Sequence, residues 1–263
     1  MSEKILLTEN EEIQKLIEQL EAHFNKEVIF LIYDPRDEEG IKLQDEIFFE
    51  FIIERILKSN NLKECVLVLN GFGGDFKTAL LCSSMLRNYL NYYICFIPSV
   101  IGSSLSYFVL QSNKLIIGKK SILTQIDPLI DHKGEQLRAI KNLSSLDDEI
   151  RKKSHEAFNY NLLILRKILK KKRILDKKCF SRRNSINSWE LNRIIELFMG
   201  KQQHESGLTI EELKKLKINL VIESEEIVAI ANKIINKCRE ELFHMDEYHR
   251  FMIQCSEGGY YFS

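Results

Sequence analysis

Residues 65–74, CVLVLNGFGG, and residues 93–105, YICFIPSVIGSSL, decide the fold class of this chain. Each begins with an apolar run, which is typical of a strand buried on both faces of a sheet. Each run ends at a glycine-containing turn, and segments with helical spacing follow at 76–90 and 103–111. Two strand–turn–helix units in succession predict an α/β protein with parallel strands, right-handed crossovers and helices on both faces of the sheet.

The flanking sequence extends this pattern in both directions. Thr8 and Glu11 form a capping-box pattern ahead of an amphipathic N-terminal helix. Further strands are predicted at 28–33, 114–117, 122–124 and 219–222, and further helices at 44–58, 144–171, 189–199, 210–216 and 226–243. The tail, FMIQCSEGGYYFS, has strand-like composition around a Gly-Gly turn. We expect an N-terminal helix (1–26), a core domain (27–224) and a C-terminal helix and tail (225–263), with no linker that separates two domains.

Composition and charge favour a folded protein without a general attraction for polyanions. The 263 residues contain 38 Lys and Arg against 38 Asp and Glu, so the formal net charge is zero. No overall field then favours nucleic acid or anionic lipid. Apolar residues make up 44% and charged residues 29%, which is ordinary for one large globular core.

The cysteines and the N terminus indicate a reducing, cytoplasmic setting. No CxxC motif or short paired spacing occurs among the six cysteines, which are Cys65, Cys82, Cys95, Cys179, Cys238 and Cys255. We therefore expect neither a disulfide framework nor a metal site, and no cofactor. The first residues carry acids where a signal peptide has a basic flank. The charge-free stretch 92–110 contains a proline, a glycine and four serines, so we interpret it as strand, turn and helix rather than as a membrane span.

The two turns carry the residues with catalytic potential. Gly73 and Gly74 let the backbone approach another group closely, because no Cβ intervenes. Ser103 opens a helix, where unpaired backbone N–H groups and the positive end of the helix dipole favour developing negative charge. Amide donors from the glycine turn and from Ser104 would form an oxyanion hole for acyl transfer. Taken alone, a serine at a helix start is more often a cap than a nucleophile.

The order of these parts resembles the serine dehydrogenase proteinase family, which is related to Clp proteases, signal peptide peptidases and crotonases. In that family a buried strand leads to a Thr/Ser-Pro-Gly-Gly turn, and the next strand leads to an Ala-x-Ser-Ala-Gly turn, an Ala-rich helix and a closing Asp-Pro. The corresponding residues here are 71–74 (GFGG), 101–105 (IGSSL) and 126–128 (IDP). A second stretch that resembles the family lies downstream and contains 197–200 (LFMG), His204-Glu205 and Leu208-Thr209. The resemblance extends over 27–222 and is firm over 65–128.

The resemblance implies a crotonase/Clp-like parallel sheet with repeated ββα units, a helical C-terminal part and assembly into a homo-oligomer. The activity that it implies is hydrolysis of peptide or protein substrates through an acyl-enzyme on Ser103. The chain departs from the family pattern at three positions. Phe72 replaces a proline, Ser104 an alanine and Leu105 a glycine. If the family glycine serves close approach or a special φ, Leu105 adds strain or closes the site, although Gly102 could restore flexibility.

Several residues compete for the role of general base, which a serine of high pKa requires. The Clp branch would place a histidine at about position 126, where this chain has isoleucine. Asp127 is present next to it, but an Asp-Pro pair is also a common turn. The signal-peptide-peptidase branch uses a helical lysine, for which Lys152 and Lys153 lie in range, although a solvated helix face is the commoner role. His204 falls on the family's His-Asp pair. His155, on the same helix as the two lysines, is another candidate, and His23, His132, His244 and His249 are expected at the surface.

Two further interpretations stay open. The basic run 166–183 holds ten Lys and Arg, but interleaved apolar residues favour a solvated helix end and loop over nucleic-acid binding. The alternative to a peptidase is an inactive crotonase-like scaffold that acts through assembly or partner binding. It predicts a blocked site with no histidine or lysine within reach of Ser103. A crotonase acting on acyl-CoA is a weaker third option.

Overall fold

A computed structural model describes residues 7–8, 10–33, 54, 62–171, 174–175, 188–199, 207–244, 251–256 and 258–262. The strands, in chain order, are β1 (Leu7–Thr8), β2 (Glu27–Tyr33), β3 (Glu64–Asn70), β4 (Tyr92–Ile97), β5 (Val100–Ile101), β6 (Lys114–Ile117), β7 (Ile122–Leu123), β8 (Leu129–His132), β9 (Glu135–Arg138), β10 (Leu220–Ile222), β11 (Phe251–Cys255) and β12 (Gly258–Phe262). The helices are α1 (Glu11–Phe24), α2 (Phe76–Tyr89), α3 (Ser106–Gln111), α4 (Asp148–Lys170), α5 (Ser188–Phe198), α6 (Ile210–Lys215) and α7 (Glu225–His244).

The central sheet has the strand order β1-β12-β11-β2-β3-β4-β6-β10. Strands β2, β3, β4, β6 and β10 are parallel to one another, whereas β11, β12 and β1 extend the β2 edge in antiparallel pairs. The chain is therefore a mixed α/β protein with a mostly parallel central sheet, as the alternating apolar runs and helical segments predict.

Helices cover both faces of this sheet, which explains why its strands are apolar on both sides. Along β2, Ile29, Leu31 and Tyr33 belong to one core, which α2 to α6 complete. The alternate residues Val28, Phe30 and Ile32 belong to a second core. Helices α1 and α7 close that second core with the apolar faces of an amphipathic pair. The N-terminal helix thus packs on the body of its own chain.

A second, short sheet lies beyond the C-terminal ends of three central strands. Strands β5 and β7 pair in parallel, and they follow β4 and β6 in the chain. Gly71, which directly follows β3, bridges to Ile101 of β5, and Leu208 bridges to Leu123 of β7. The chain thus leaves β3, β4 and β6 in the same direction, and the three continuations meet side by side.

Three local features differ from the sequence predictions or lie beyond them. Asn10, not Thr8, caps α1, because its side chain accepts hydrogen bonds from the Glu12 and Ile13 amides while Thr8 lies in β1. The helix predicted over 103–111 is divided into a 3-10 turn (Ser103–Leu105) and α3. The helix predicted over 44–58 lies outside the described residues, apart from Glu54, which is helical.

The C-terminal hairpin β11–β12 pairs with β2 and therefore belongs to the central sheet. The division into segments 1–26, 27–224 and 225–263 stays a prediction.

Within the described ranges, no helix is both long enough and apolar enough to cross a membrane. The cysteines Cys65, Cys82, Cys95, Cys238 and Cys255 are buried and take part in no disulfide among the described residues, and burial raises the pKa of Cys65 to about 12. Cys179 lies outside the described residues.

Candidate active site

Two turns of the second, short sheet are in direct contact, and we call them the glycine turn (71–74) and the serine turn (102–105). The Gly102 N–H donates a hydrogen bond to the Gly71 carbonyl at 2.8 Å, N to O. A Cβ built on Gly102 would lie 2.3 Å from the Phe72 carbonyl oxygen. No side chain tolerates that distance, so close approach requires the glycine. The φ of Gly102, −111°, is one that any residue adopts.

Gly73 lies directly against the serine turn. Its φ is +98°, and a Cβ built on it would be 3.1 Å from the Ser103 Cβ and 3.1 Å from the Ser104 amide nitrogen. Gly74 also has a positive φ, +120°. The bare backbone of the glycine turn therefore flanks both the predicted nucleophile and the amide that follows it, which is the arrangement that an oxyanion hole needs.

Ser103 occupies a strained position at the start of the 3-10 turn. Its φ is +39°, which costs a non-glycine residue about 1–2 kcal/mol. The side chain is half-buried, and no hydrogen bond joins its hydroxyl to another described residue. The N-cap of the turn is Gly102, so Ser103 is not used as a helix cap. Strained, unengaged polar residues of this kind concentrate at functional sites.

The amides of the serine turn are not equivalent. The Ser103 N–H donates to the Thr124 hydroxyl at 2.7 Å, N to O, so it is not available to an oxyanion. Among the described residues, no group accepts the Ser104 N–H, whose nitrogen lies close to Gly73. Ser104 is 1% exposed, and its buried hydroxyl has no hydrogen-bond partner among the described residues, so that side chain points into the body of the protein.

Leu105, which replaces a family glycine, is accommodated without strain. Its φ and ψ are −60° and −18°, an ordinary helical conformation. The side chain is fully buried in the core beneath the turn. The positive φ that a glycine would favour falls on Ser103 instead.

Asp127 is engaged in holding a turn. The carboxylate accepts a hydrogen bond from the Ile140 N–H at 2.9 Å, O to N, and only 6% of the residue is exposed. Burial raises the pKa of Asp127, although this hydrogen bond and the nearby Arg138 and Lys141 oppose the rise. No contact to Ser103 occurs among its described hydrogen bonds.

The two candidate lysines lie on α4, and neither has a described contact with Ser103. Lys153 pairs with Glu149 at 2.7 Å, N to O, and donates to the Asp131 carbonyl at 3.2 Å. The hydrogen bond that Lys153 donates to the Glu149 carboxylate raises the pKa of Lys153, and a general base requires the opposite shift. Lys152 is exposed on the same helix. His132, expected at the surface, is instead buried, with Nδ1 3.9 Å from Glu149.

His204 lies outside the described residues, but Phe198 and Leu208, on the two sides of its segment, are hydrogen-bonded to the stretch 123–126. The Phe198 carbonyl accepts a hydrogen bond from the Ile126 N–H at 2.7 Å, and the Leu208 N–H donates to the Leu123 carbonyl at 2.6 Å. Thr124, whose hydroxyl accepts the Ser103 N–H, lies between Leu123 and Ile126. Described residues on both sides of the His204 segment are thus hydrogen-bonded to the stretch 123–126, which contains the residue that contacts the serine turn.

Comparison with known proteins adds a distant structural similarity. No protein-family profile and no curated protein matches the sequence. One solved structure, a mutant of the membrane-bound stomatin-specific protease 1510-N, is similar with a TM-score of 0.47 and 14% sequence identity. The alignment covers 73% of this chain and 79% of that protease. A similarity this distant does not carry an activity from one protein to the other.

Proposed function

We propose that the chain is a serine peptidase that hydrolyses peptide bonds through an acyl-enzyme on Ser103. The observation that carries the proposal is the geometry of the two turns. A half-buried serine hydroxyl, without a hydrogen bond to any described residue, lies beside a glycine backbone and an adjacent free amide. The sequence resemblance to serine dehydrogenase proteinases places the nucleophile at the same residue.

The proposed chemistry follows from these positions. The Ser103 oxygen attacks the peptide carbonyl carbon, and its proton passes to the general base. The Ser104 N–H and an amide of the glycine turn at Gly73 or Gly74 stabilise the negative oxygen of the tetrahedral intermediate. The base returns the proton to the leaving amine, and a water molecule then hydrolyses the ester to free Ser103.

We assign the role of general base to His204. The support is the pair of backbone hydrogen bonds that join Phe198 to Ile126 and Leu208 to Leu123, on the two sides of Thr124. An extended chain spans at most about 3.6 Å per residue, so the chain between Leu208 and His204 can reach no further than about 14 Å from Leu208. The ion pair of Lys153 and the turn-holding hydrogen bond of Asp127 favour structural roles for those two residues.

We also propose a crotonase-like arrangement of ββα units. Its support is the second, short sheet, in which the continuations of β3, β4 and β6 meet side by side. The alternative function, an inactive scaffold, is favoured by one observation. Among the described residues, no histidine or lysine is hydrogen-bonded to the Ser103 hydroxyl. If the protein is an inactive scaffold, Ser103 has no catalytic role and the fold serves assembly or partner binding.

Labelling with a fluorophosphonate probe distinguishes the two functions. We expect the wild-type protein to be labelled and Ser103→Ala to be unlabelled. His204→Gln should be labelled at least about a hundredfold more slowly, because general base catalysis contributes roughly 10²–10⁴-fold. Ser144→Ala, which alters an exposed serine outside the two turns, is the control and should label. An unlabelled but folded wild-type protein would favour the scaffold.

A further inference from the structure

Thr124 makes three hydrogen bonds, all to the segment that contains Ser103. Its N–H donates to the Ile101 carbonyl at 3.0 Å, and its carbonyl accepts from the Ser106 hydroxyl at 3.2 Å. Its own hydroxyl accepts the Ser103 N–H at 2.7 Å. These bonds reach residues before, at and after Ser103. One residue on β7's C-terminal side therefore fixes the serine turn along its whole length.

The bond to the Ser103 N–H is the one that bears on the strained conformation. A φ of +39° is unfavourable for serine and persists only where neighbouring groups over-determine it. The contact with Gly73 limits the turn from one side, and the Thr124 hydroxyl holds the amide from the other. If the Ser103 N–H were released, the turn could relax toward an ordinary helical start, where the hydroxyl becomes a cap.

The same bond also determines which amides are available for catalysis. With its N–H committed to Thr124, Ser103 cannot donate to the developing oxyanion, and the amide nitrogen close to Gly73 belongs to Ser104. Thr124 therefore holds the Ser103 backbone in place and leaves the role of oxyanion donor to other amides.

We propose that Thr124 is a positioning residue whose hydroxyl holds the Ser103 backbone in the conformation that presents the nucleophile. This inference rests on the proposed role of Ser103. Neither the motifs of the sequence nor the family resemblance assigns a role to this threonine. Its contact arises only because β7 pairs with β5.

The test compares Thr124→Val, which removes the hydroxyl at nearly constant volume, with Thr124→Ser, which keeps it. We expect the valine variant to react with the fluorophosphonate probe between about tenfold and a hundredfold more slowly, since small misplacements of reacting groups cost up to that much. On a cleaved peptide, the loss should fall on kcat with KM changed little. The serine variant should remain within about threefold of the wild type, because it keeps the same hydrogen bond.

Hydrogen exchange at the Ser103 amide provides a readout that does not depend on activity. Protection of this amide should be lost in Thr124→Val and retained in Thr124→Ser, with thermal unfolding of both variants remaining cooperative. Equal reactivity and equal amide protection in the two variants would overturn the inference. If the wild-type protein is not labelled at all, the peptidase proposal fails, and the exchange measurement still decides whether Thr124 holds the turn.

Discussion

At the scale of single residues, the site depends on backbone contacts that a side chain would prevent. The glycine turn and the serine turn approach so closely that a Cβ on Gly102 would overlap the Phe72 carbonyl. Gly73 combines close approach with a positive φ, whereas Ser103 has a positive φ without being a glycine. The strain at Ser103 is therefore supported by glycines on the neighbouring turn and by the Thr124 hydroxyl.

Gly73→Ala tests this arrangement, and Gly134→Ala is a matched control. Both glycines have positive φ, +98° and +84°, so both substitutions carry a backbone cost of about 1–2 kcal/mol. A Cβ at Gly134 would meet nothing within 4 Å, whereas one at Gly73 would lie 2.8 Å from the Gly102 carbonyl oxygen. We expect Gly73→Ala to be the less stable in thermal unfolding and to lose probe labelling.

The control should lower the melting temperature slightly and leave labelling unchanged. Labelling of the Gly73→Ala protein at the wild-type rate would mean that the glycine turn does not limit access to the serine, and the assignment of the oxyanion donors would then be wrong.

The sequence predicts Ser103, Ser104 and Gly73 as parts of one site, and the structure brings these three together. Local glycine and serine patterns are sufficient to predict these three residues, because each lies in a turn after a strand and such turns have a recognisable composition. Thr124 was missed. Its role comes from the pairing of β5 with β7, and no motif near Thr124 signals that contact. Histidine and lysine candidates cannot be ranked by sequence, since burial and ion pairing decide their pKa.

At the scale of elements, the junction of α1 with β2 contains a carboxyl group in an unfavourable setting. Glu21 is half-buried, and its carboxylate accepts the Val28 N–H at 3.2 Å. Burial raises the pKa of Glu21 to about 7, and repulsion from Glu27 and Glu18 adds to the rise. The folded state therefore binds a proton here that the unfolded state has released by pH 7.

The sign of the pH dependence follows from this raised pKa. Between the ordinary value of 4.5 and about 7, the folded protein holds more protons than the unfolded chain, so this group makes the free energy of unfolding decrease as the pH rises. Glu21→Gln removes the charge but keeps an acceptor for Val28. We expect the variant to melt higher than the wild type at pH 8 and nearly equal to it at pH 4.5, measured by circular dichroism.

Glu11→Gln is the control for this experiment, because it replaces an exposed glutamate of the same helix. It should leave the difference in melting temperature between pH 4.5 and pH 8 the same as in the wild type. A Glu21→Gln protein whose advantage over the wild type is the same at both pH values would show that Glu21 titrates normally.

Element boundaries show where local sequence patterns suffice and where they do not. The buried strands β3 and β4 are recognisable as apolar runs, and α2 by its helical spacing, because each is determined over a few residues. The start of α1 was misplaced by two residues, since Thr8 is drawn into β1 and Asn10 caps the helix instead. The helix predicted to begin at Ser103 is interrupted because a φ of +39° is incompatible with a regular first turn.

At the scale of the whole molecule, the C-terminal hairpin is part of the main sheet. β11 pairs with β2, and Met252 and Ile253 are fully buried on opposite faces of the sheet. The sequence indicates strands here but not their partner, because residues 254 and 30 pair across most of the chain. Long-range antiparallel pairing of this kind leaves no local signal.

Deletion of residues 251–263 should abolish cooperative folding. It would remove two strands, expose the β2 edge and leave both cores open, and each large apolar side chain lost costs about 2–5 kcal/mol against a total stability of about 5–15 kcal/mol. Met252→Ala is the milder control and should fold with a lower melting temperature. A truncated protein that melts cooperatively within a few degrees of the wild type would contradict this account of the sheet.

Assembly into a homo-oligomer and a cytoplasmic setting stay predictions that rest on the sequence and its family resemblance. Light scattering on the purified protein measures the first directly. Assembly alone does not separate a peptidase from an inactive scaffold, because both are expected to assemble.

The chemical identity of the nucleophile is the most direct test of the proposed function. The wild-type protein is treated with a fluorophosphonate, digested, and the adduct located by tandem mass spectrometry. We predict a single modified position, Ser103, and no adduct in Ser103→Ala. An adduct on another serine, or a folded wild-type protein that acquires none, would contradict the claim that the serine turn presents a reactive hydroxyl.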